Sequence, residues 1–242
     1  MEYLKFPLNL ILCLLWAFFV FMLWRSRKDS RLVRFMLSPA ASYGSIGLFL
    51  AICLYIGLTG HRHIIGTWPF ALFMLVFQTV LAFVILRGWK SRSGIRWRFL
   101  FLHVGLLTAV GSAFWGAPDT YTMRVQVFEQ IPVSEAYTVD GKIQRLPYAL
   151  TLEDFTVSYG DDGKPSDYKA YLRINDEDAE LRVNHPYSIG LGKDLYLAGY
   201  NASSQGTCIL QIVYEPWRYC ALAGIILMLA GAALLFIGGP KK

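Results

Sequence analysis

Five stretches of the chain, 6–24, 43–59, 68–86, 99–115 and 217–237, are runs of apolar residues with no Asp, Glu, Lys or Arg inside their cores. A helix rises about 1.5 Å per residue, so about 20 such residues are needed to cross a hydrocarbon layer of roughly 30 Å. The runs therefore predict five transmembrane helices. Between the fourth and the fifth the pattern changes to short alternating segments, at 122–128, 148–158, 168–174, 180–183, 194–198 and 208–214. Alternation with period two is the signature of strands that bury one face. Turn chemistry separates these segments: Asp140-Gly141, the stretch from Gly160 to Pro165, Asn184 to Pro186, and Asn201 to Gly206. Six or seven strands in about 100 residues predict an all-β unit, either a small antiparallel sandwich or an open barrel. The expected organisation is thus a four-helix transmembrane region over 1–116, a β-rich domain over 117–216, and a last transmembrane helix with a short tail over 217–242. Ser38-Pro39 marks the expected start of the second helix.

Composition agrees with this pattern. A hydrophobic share of 55% and a mean hydropathy of +0.40 exceed what an ordinary soluble domain carries. The net charge of +6 raises the question of nucleic acid, but the charge is segregated. Arg25, Arg27, Lys28, Arg31 and Arg34 follow the first helix; Arg87, Lys90, Arg92, Arg96 and Arg98 join the third to the fourth; Lys241 and Lys242 end the sequence. By the positive-inside rule these are cytoplasmic stretches. That places the N-terminus, the loop 60–67 and the β domain outside, and every basic cluster agrees with the assignment. The β domain holds most of the acidic residues, among them Asp161, Asp162, Asp176, Glu177, Asp178 and Glu180, which argues against a nucleic-acid partner. Lys5 precedes the first apolar run while the dense basic cluster follows it, the reverse of a cleavable leader, so that run is expected to be retained as a helix. Trp68, Trp115 and Trp217 fall at the expected outer helix ends, where indoles favour the headgroup layer.

Candidate chemistry is sparse. Cys13 and Cys53 lie in apolar helix sequence and read as packed small side chains. Cys208 and Cys220 fall on the expected outer side, where a bridge between them is permitted but not required. No Cys-x-x-Cys or Cys-x-x-Cys-His occurs, so neither a thiol relay nor a c-type cytochrome is encoded. His103 is an ionisable group inside a span, a functional candidate by its cost alone. Its neutral imidazole suits an axial haem ligand, and the competing reading is a histidine hydrogen-bonded between helices. His61 and His63 flank Arg62 in the short outer loop, a pair that can meet a metal or a haem propionate, although no carboxylate or cysteine accompanies them. His185 sits in turn sequence. With no triad, phosphate loop or paired carboxylates, an independent enzyme is not indicated.

Several blocks are similar to the ResB family of the system II cytochrome c maturation machinery. His103-Val-Gly with Gly111-Ser-Ala-Phe-Trp-Gly-Ala-Pro118 resembles its His-Leu-Gly helix and exit. Leu146-Pro-Tyr-Ala-Leu-Thr-Leu-Glu-Asp-Phe155, then Tyr159 to Lys169 with Gly163-Lys-Pro165, resembles its Leu-Pro-Phe and Gly-x-Pro blocks. Leu181-Arg-Val-Asn-His-Pro-Tyr187, Asp194-Leu-Tyr-Leu-Ala-Gly-Tyr200 and Ile209-Leu-Gln-Ile-Val-Tyr-Glu-Pro-Trp217 follow in the family's order. The resemblance implies a bacterial cytoplasmic membrane protein that works with a CcsA (ResC) type partner on apocytochrome c. It also implies haem b held transiently, with His103 as a ligand. The partner's tryptophan-rich haem motif has no counterpart here, so the resemblance implies an accessory subunit. The alternative is a structural or sensory membrane protein whose β domain binds a peptide or envelope protein without haem. A small-molecule transporter is disfavoured, because the spans lack broken-helix features.

Overall fold

A computed structural model describes residues 4–27, 29–92, 94–161, 165–175, 177–200 and 206–237. Lys28, Asp162, Gly163, Lys164, Asp176, the turn residues 201–205, Lys241 and Lys242 lie outside the described residues, as do the side chains of Arg27, Arg62 and Pro165. The chain divides into two compact units, a helical one of Met1–Pro118 with Trp217–Lys242 and a β one of Asp119–Pro216.

In the helical unit, α1 (Leu8–Arg27), α3 (Pro39–Thr59), α4 (Trp68–Gly88), α5 (Trp97–Gly116) and α6 (Arg218–Ile237) are long and apolar enough to cross a membrane. The protein is therefore a multi-pass membrane protein. The Ser38-Pro39 start is as expected: the Ser38 hydroxyl accepts from the Ala41 N–H at 3.2 Å, and Pro39 occupies the first turn, where its missing N–H costs nothing. Gly60, at φ 71°, closes the same helix in the left-handed region. Two small elements at the basic end were not anticipated, and at the other end the expected loop contains a short 3-10 helix, Arg62–Gly66. A six-residue helix α2 (Arg31–Met36), capped by Ser30, follows α1, and a two-residue hairpin of β1 (Lys90–Ser91) and β2 (Gly94–Ile95) joins α4 to α5. Both are shorter than the window over which hydrophobic periodicity can be read. Val33 of α2 is buried and packs with Val20, Ala82 and Phe83, which seats that helix against α1 and α4. The tightest helix pair is α5 with α6. There, Gly105 and Gly224 approach so closely that a Cβ on either would meet the other's carbonyl oxygen at 2.6 and 2.7 Å.

The β unit is one antiparallel sheet of eight strands, in the order β7-β6-β5-β4-β3-β10-β9-β8. These are β3 (Tyr121–Phe128), β4 (Val133–Thr138), β5 (Ile143–Tyr159), β6 (Pro165–Ile174), β7 (Glu177–Arg182), β8 (Tyr187–Gly190), β9 (Lys193–Tyr200) and β10 (Thr207–Tyr214). The open-barrel expectation holds and the sandwich alternative does not. A single ladder runs through all the strands, and their inward residues, Val125, Ala136, Leu150, Leu172, Leu181, Leu195 and Leu210 among them, form one core cluster. A sheet that buries one face with no second layer has to curl over itself. The 17-residue β5 supplies much of that curl: its first half pairs with β4 and its second with β6, with register shifts in both ladders. Pro147, unable to donate to a ladder, falls within the first irregularity. At the far ends, Arg182 bridges to His185, so the edges β7 and β8 come together at that corner without closing the sheet.

Cys208 is buried in the β core, Cys220 is exposed on α6, and both are free thiols. The bridge left open by the sequence is not formed, because the Cys208 side chain points inward among the leucines. Burial pushes its thiol up to about 12 from the usual 9.0. The unfolded thiol ionises first, so stability contributed by the neutral form is complete below pH 9 and is lost as pH rises toward 12. Cys208 is expected to resist a maleimide at pH 7.5 in the folded protein and to react fully in denaturant. Labelling of Cys208 under native conditions at the rate of an exposed thiol would show that this core is not packed as described.

Candidate functional site

His103 lies six residues into α5, about 9 Å from its first residue. It is half-buried. Its Nδ1 is 2.9 Å from the Phe99 carbonyl oxygen one turn earlier, and its ring stacks on Phe99 with centroids 4.0 Å apart. A carbonyl can only accept, so Nδ1 is the donor in this contact and the ring is turned so that Nε2 faces away from the Phe99 carbonyl. Phe99 is itself held: it packs into the gap at Gly88, where a Cβ would meet its ring at 2.4 Å, and the Arg96 guanidinium lies over the ring, 5.0 Å from its centroid. Gly88, Phe99 and His103 form a packed column at the basic end of the helices, with an oriented imidazole at its tip. Backbone-oriented histidines of this kind are the usual donors to a metal.

His61 and His63 stand together at the other end of the helical unit, with ring centroids 5.5 Å apart. Tyr55 Oη is 3.3 Å from His61 Nδ1, and the His61 N–H donates to Thr59 Oγ1. No group of three or more His, Cys, Asp or Glu that could hold a metal occurs among the described residues. Helix α4, about 30 Å long, separates this pair from His103, so the three histidines do not form one site. Below the pair, an apolar groove of about 490 Å³ opens between α3, α4 and α5, lined by Phe49, Cys53, Gly57, Gly60, Met74 and Ala113 among others. His185 sits in the corner between β7 and β8, where its N–H donates to the Arg182 carbonyl, the structural role its turn sequence suggests.

A polar network inside the bundle was not recognised in the sequence. Asn9 and Gln78 are both essentially inaccessible. Asn9 Nδ2 donates to the Trp115 carbonyl at 2.9 Å, and Trp115 Nε1 donates to Gln78 Oε1 at 3.1 Å. Beside them Trp16 Nε1 donates to Thr79 Oγ1, and the Trp16 and Trp115 rings are 6.3 Å apart. Helices α1, α4 and α5 are thereby tied where α5 ends. Trp115 is turned inward rather than serving as a headgroup anchor, and Trp217 is packed over Gly116; Trp68, by contrast, is exposed. The signal available was the two amides in otherwise apolar runs, since an amide in a span needs a partner.

No curated protein sequence matches the chain. Among solved structures, a protein described as cytochrome c heme lyase CcmF aligns with a TM-score of 0.39 and 14% identity. The alignment covers 77% of this chain and 33% of that one, so this chain spans about a third of that protein's length. The ResB-like family profile matches from the hairpin before α5 into β10, a stretch that includes His103, Phe99 and most of the β sheet, and residues 92–209 of this chain are thus a ResB-like family domain.

Proposed function

We propose that this protein is an accessory subunit of a system II cytochrome c maturation complex, working with a CcsA-type membrane partner to bring haem to apocytochrome c. The ResB-like family is tied to cytochrome c biogenesis, and the observation that carries the reading to this chain is the state of His103. An imidazole whose Nδ1 is committed to a backbone carbonyl, on a half-buried face of a membrane helix, leaves Nε2 as the ring nitrogen that could meet the iron of haem b. In that role the chain's own residues orient the ligand; the haem, when bound, would supply the iron and the vinyl groups that the ligation chemistry uses. His61 and His63 are a second, weaker donor pair at the opposite helix ends. In this reading the β unit lies outside the cytoplasmic membrane, as the distribution of basic loops supports by the positive-inside rule, and would position the partner or the apocytochrome.

The rival reading is a scaffold or sensor whose β unit binds a peptide. A cavity of about 390 Å³, lined by Tyr148, Asn175, Glu177, Tyr187 and Ile189 on β5, the β6–β7 turn, the start of β7, and β8, favours it. The two are separated by the absorption spectrum of the chain purified with its CcsA-type partner, wild type against His103→Ala. A Soret band that is lost or shifted in the variant supports haem handling; identical spectra, or no haem in the wild-type complex under reducing conditions, sink it and favour the scaffold.

A further inference from the structure

The helical unit contains one acidic residue among its described positions, Asp29. At the end of the unit where Asp29 lies, the cations have almost no internal counter-charge. Arg87 Nη1 donates to the Leu37 carbonyl at 2.7 Å and Arg96 Nη1 to the Gly88 carbonyl at 3.4 Å, so these two are used in holding the backbone. The Arg87 bond also sets the end of α4, and the hairpin that follows it, beside the corner between α2 and α3. Arg31 and Arg34 lie on α2, Lys90 and Arg92 on the hairpin, and Arg98 at the start of α5, all at this end of the helices, and no ion pair joins them to a carboxylate among the described residues.

A purely solvated cationic face would not also expose large apolar side chains. Here Leu32 and Phe35, three apart on α2, are 65% and 61% exposed, and Trp89, Ile95 and Trp97 are exposed around the hairpin. Val33, on the opposite side of α2, is buried, so the helix is held with its apolar and arginine side chains directed outward. Guanidinium groups interleaved with Leu, Phe and Trp match one environment: the boundary where phosphates lie over acyl chains. The positive-inside rule accounts for the sign of the charge but not for a folded helix and hairpin that present it with exposed aromatics.

We propose that α2 and the β1–β2 hairpin form a binding surface for anionic phospholipid headgroups, with Arg31, Arg34, Arg92 and Arg98 recognising the phosphates and the exposed Leu, Phe and Trp side chains entering the adjoining hydrocarbon. The surface does not depend on haem, so its test stands apart from that of the maturation reading. The full-length protein in detergent is incubated with equal amounts of phosphatidylglycerol and phosphatidylcholine and examined by native mass spectrometry. The wild type should retain phosphatidylglycerol selectively, and its unfolding temperature should rise with phosphatidylglycerol but not with phosphatidylcholine. Each cation removed should weaken retention roughly fivefold, so Arg31→Gln/Arg34→Gln/Arg92→Gln/Arg98→Gln should lose it, while Arg124→Gln/Arg145→Gln on the β unit should not. Equal retention of the two lipids by the wild type overturns the proposal without any variant being needed. So does undiminished phosphatidylglycerol retention by the fourfold variant.

Discussion

Replacing Gly224 with leucine is expected to abolish the folded helical unit. A Cβ at this position would lie 2.6 Å from the Ala109 nitrogen and 2.7 Å from the Gly105 carbonyl oxygen, both backbone atoms that cannot rotate away. Relief requires moving α6 off α5, and the same seam includes Gly231, seven residues or two turns later, whose Cβ would meet the Leu102 nitrogen at 2.9 Å. Inside a bilayer the contact between helices is dispersion and close packing rather than a hydrophobic force, so separation removes most of what holds the pair. Overpacking by one methyl, Gly224→Ala, should cost about 2–3 kcal/mol, and the larger side chain more than the interface can supply. Gly47 is the matched control: nothing lies within 4 Å of a Cβ there, so Gly47→Leu should be within about 0.5 kcal/mol of the wild type. Thermal unfolding in detergent, followed by size-exclusion chromatography, reads both. A Gly224→Leu protein as monodisperse and stable as Gly47→Leu would mean the two helices are not in backbone contact.

Leu150→Ala should be the comparable lesion in the β unit. Leu150 is fully buried, faces Val133 of β4 and Ile174 of β6, and sits where β5 changes partner. Removing its three outer carbons leaves a cavity in a core that has no second layer to collapse into it, a cost of about 3–4 kcal/mol. Val139, 86% exposed in the β4–β5 connection, provides the control, and Val139→Ala should change stability by less than about 0.5 kcal/mol. Because a membrane protein of two units need not unfold in one step, the measurement is amide hydrogen exchange in β5 and β6 rather than a single melting temperature. Protection in those strands should fall by two orders of magnitude or more in Leu150→Ala while α5 and α6 are unchanged. Equal loss in both units would show that they unfold together.

The elements that could be read in advance are those in which one local rule acts over many residues. Each span is a continuous apolar run near the membrane's thickness, and the Ser38-Pro39 start is a cap whose partner is three residues away. The six anticipated strands are those whose alternation covers at least four residues in a row. β4 was missed because Val133 to Thr138 contains Glu135 and buries only Ala136 fully; β8 was missed because it is four residues long and has no fully buried position. Both become strands because their neighbours offer hydrogen-bonding edges, information that no window of sequence contains.

The candidate site divides in the same way. That His103 is an imidazole in an apolar helix was evident from the chain, as was its place in a block resembling ResB. Its orientation was not, because that depends on the Phe99 carbonyl, the Phe99 ring and the Gly88 gap on another helix. Trp115 shows the limit most clearly. Its position near a helix end suggests a headgroup anchor, yet Gln78, 37 residues earlier, offers an acceptor inside the bundle and turns the indole inward. The sequence by itself determined the five spans, the segregation of charge and the all-β character of the intervening unit, since hydropathy, charge and alternation are properties of consecutive residues. Only the tertiary structure decided that the strands form one curled sheet, that His61 and His63 stand apart from His103, and that arginines and exposed aromatics converge at one end of the helices. Those outcomes depend on which distant residues meet, and that is set by packing and hydrogen-bond satisfaction across the whole fold.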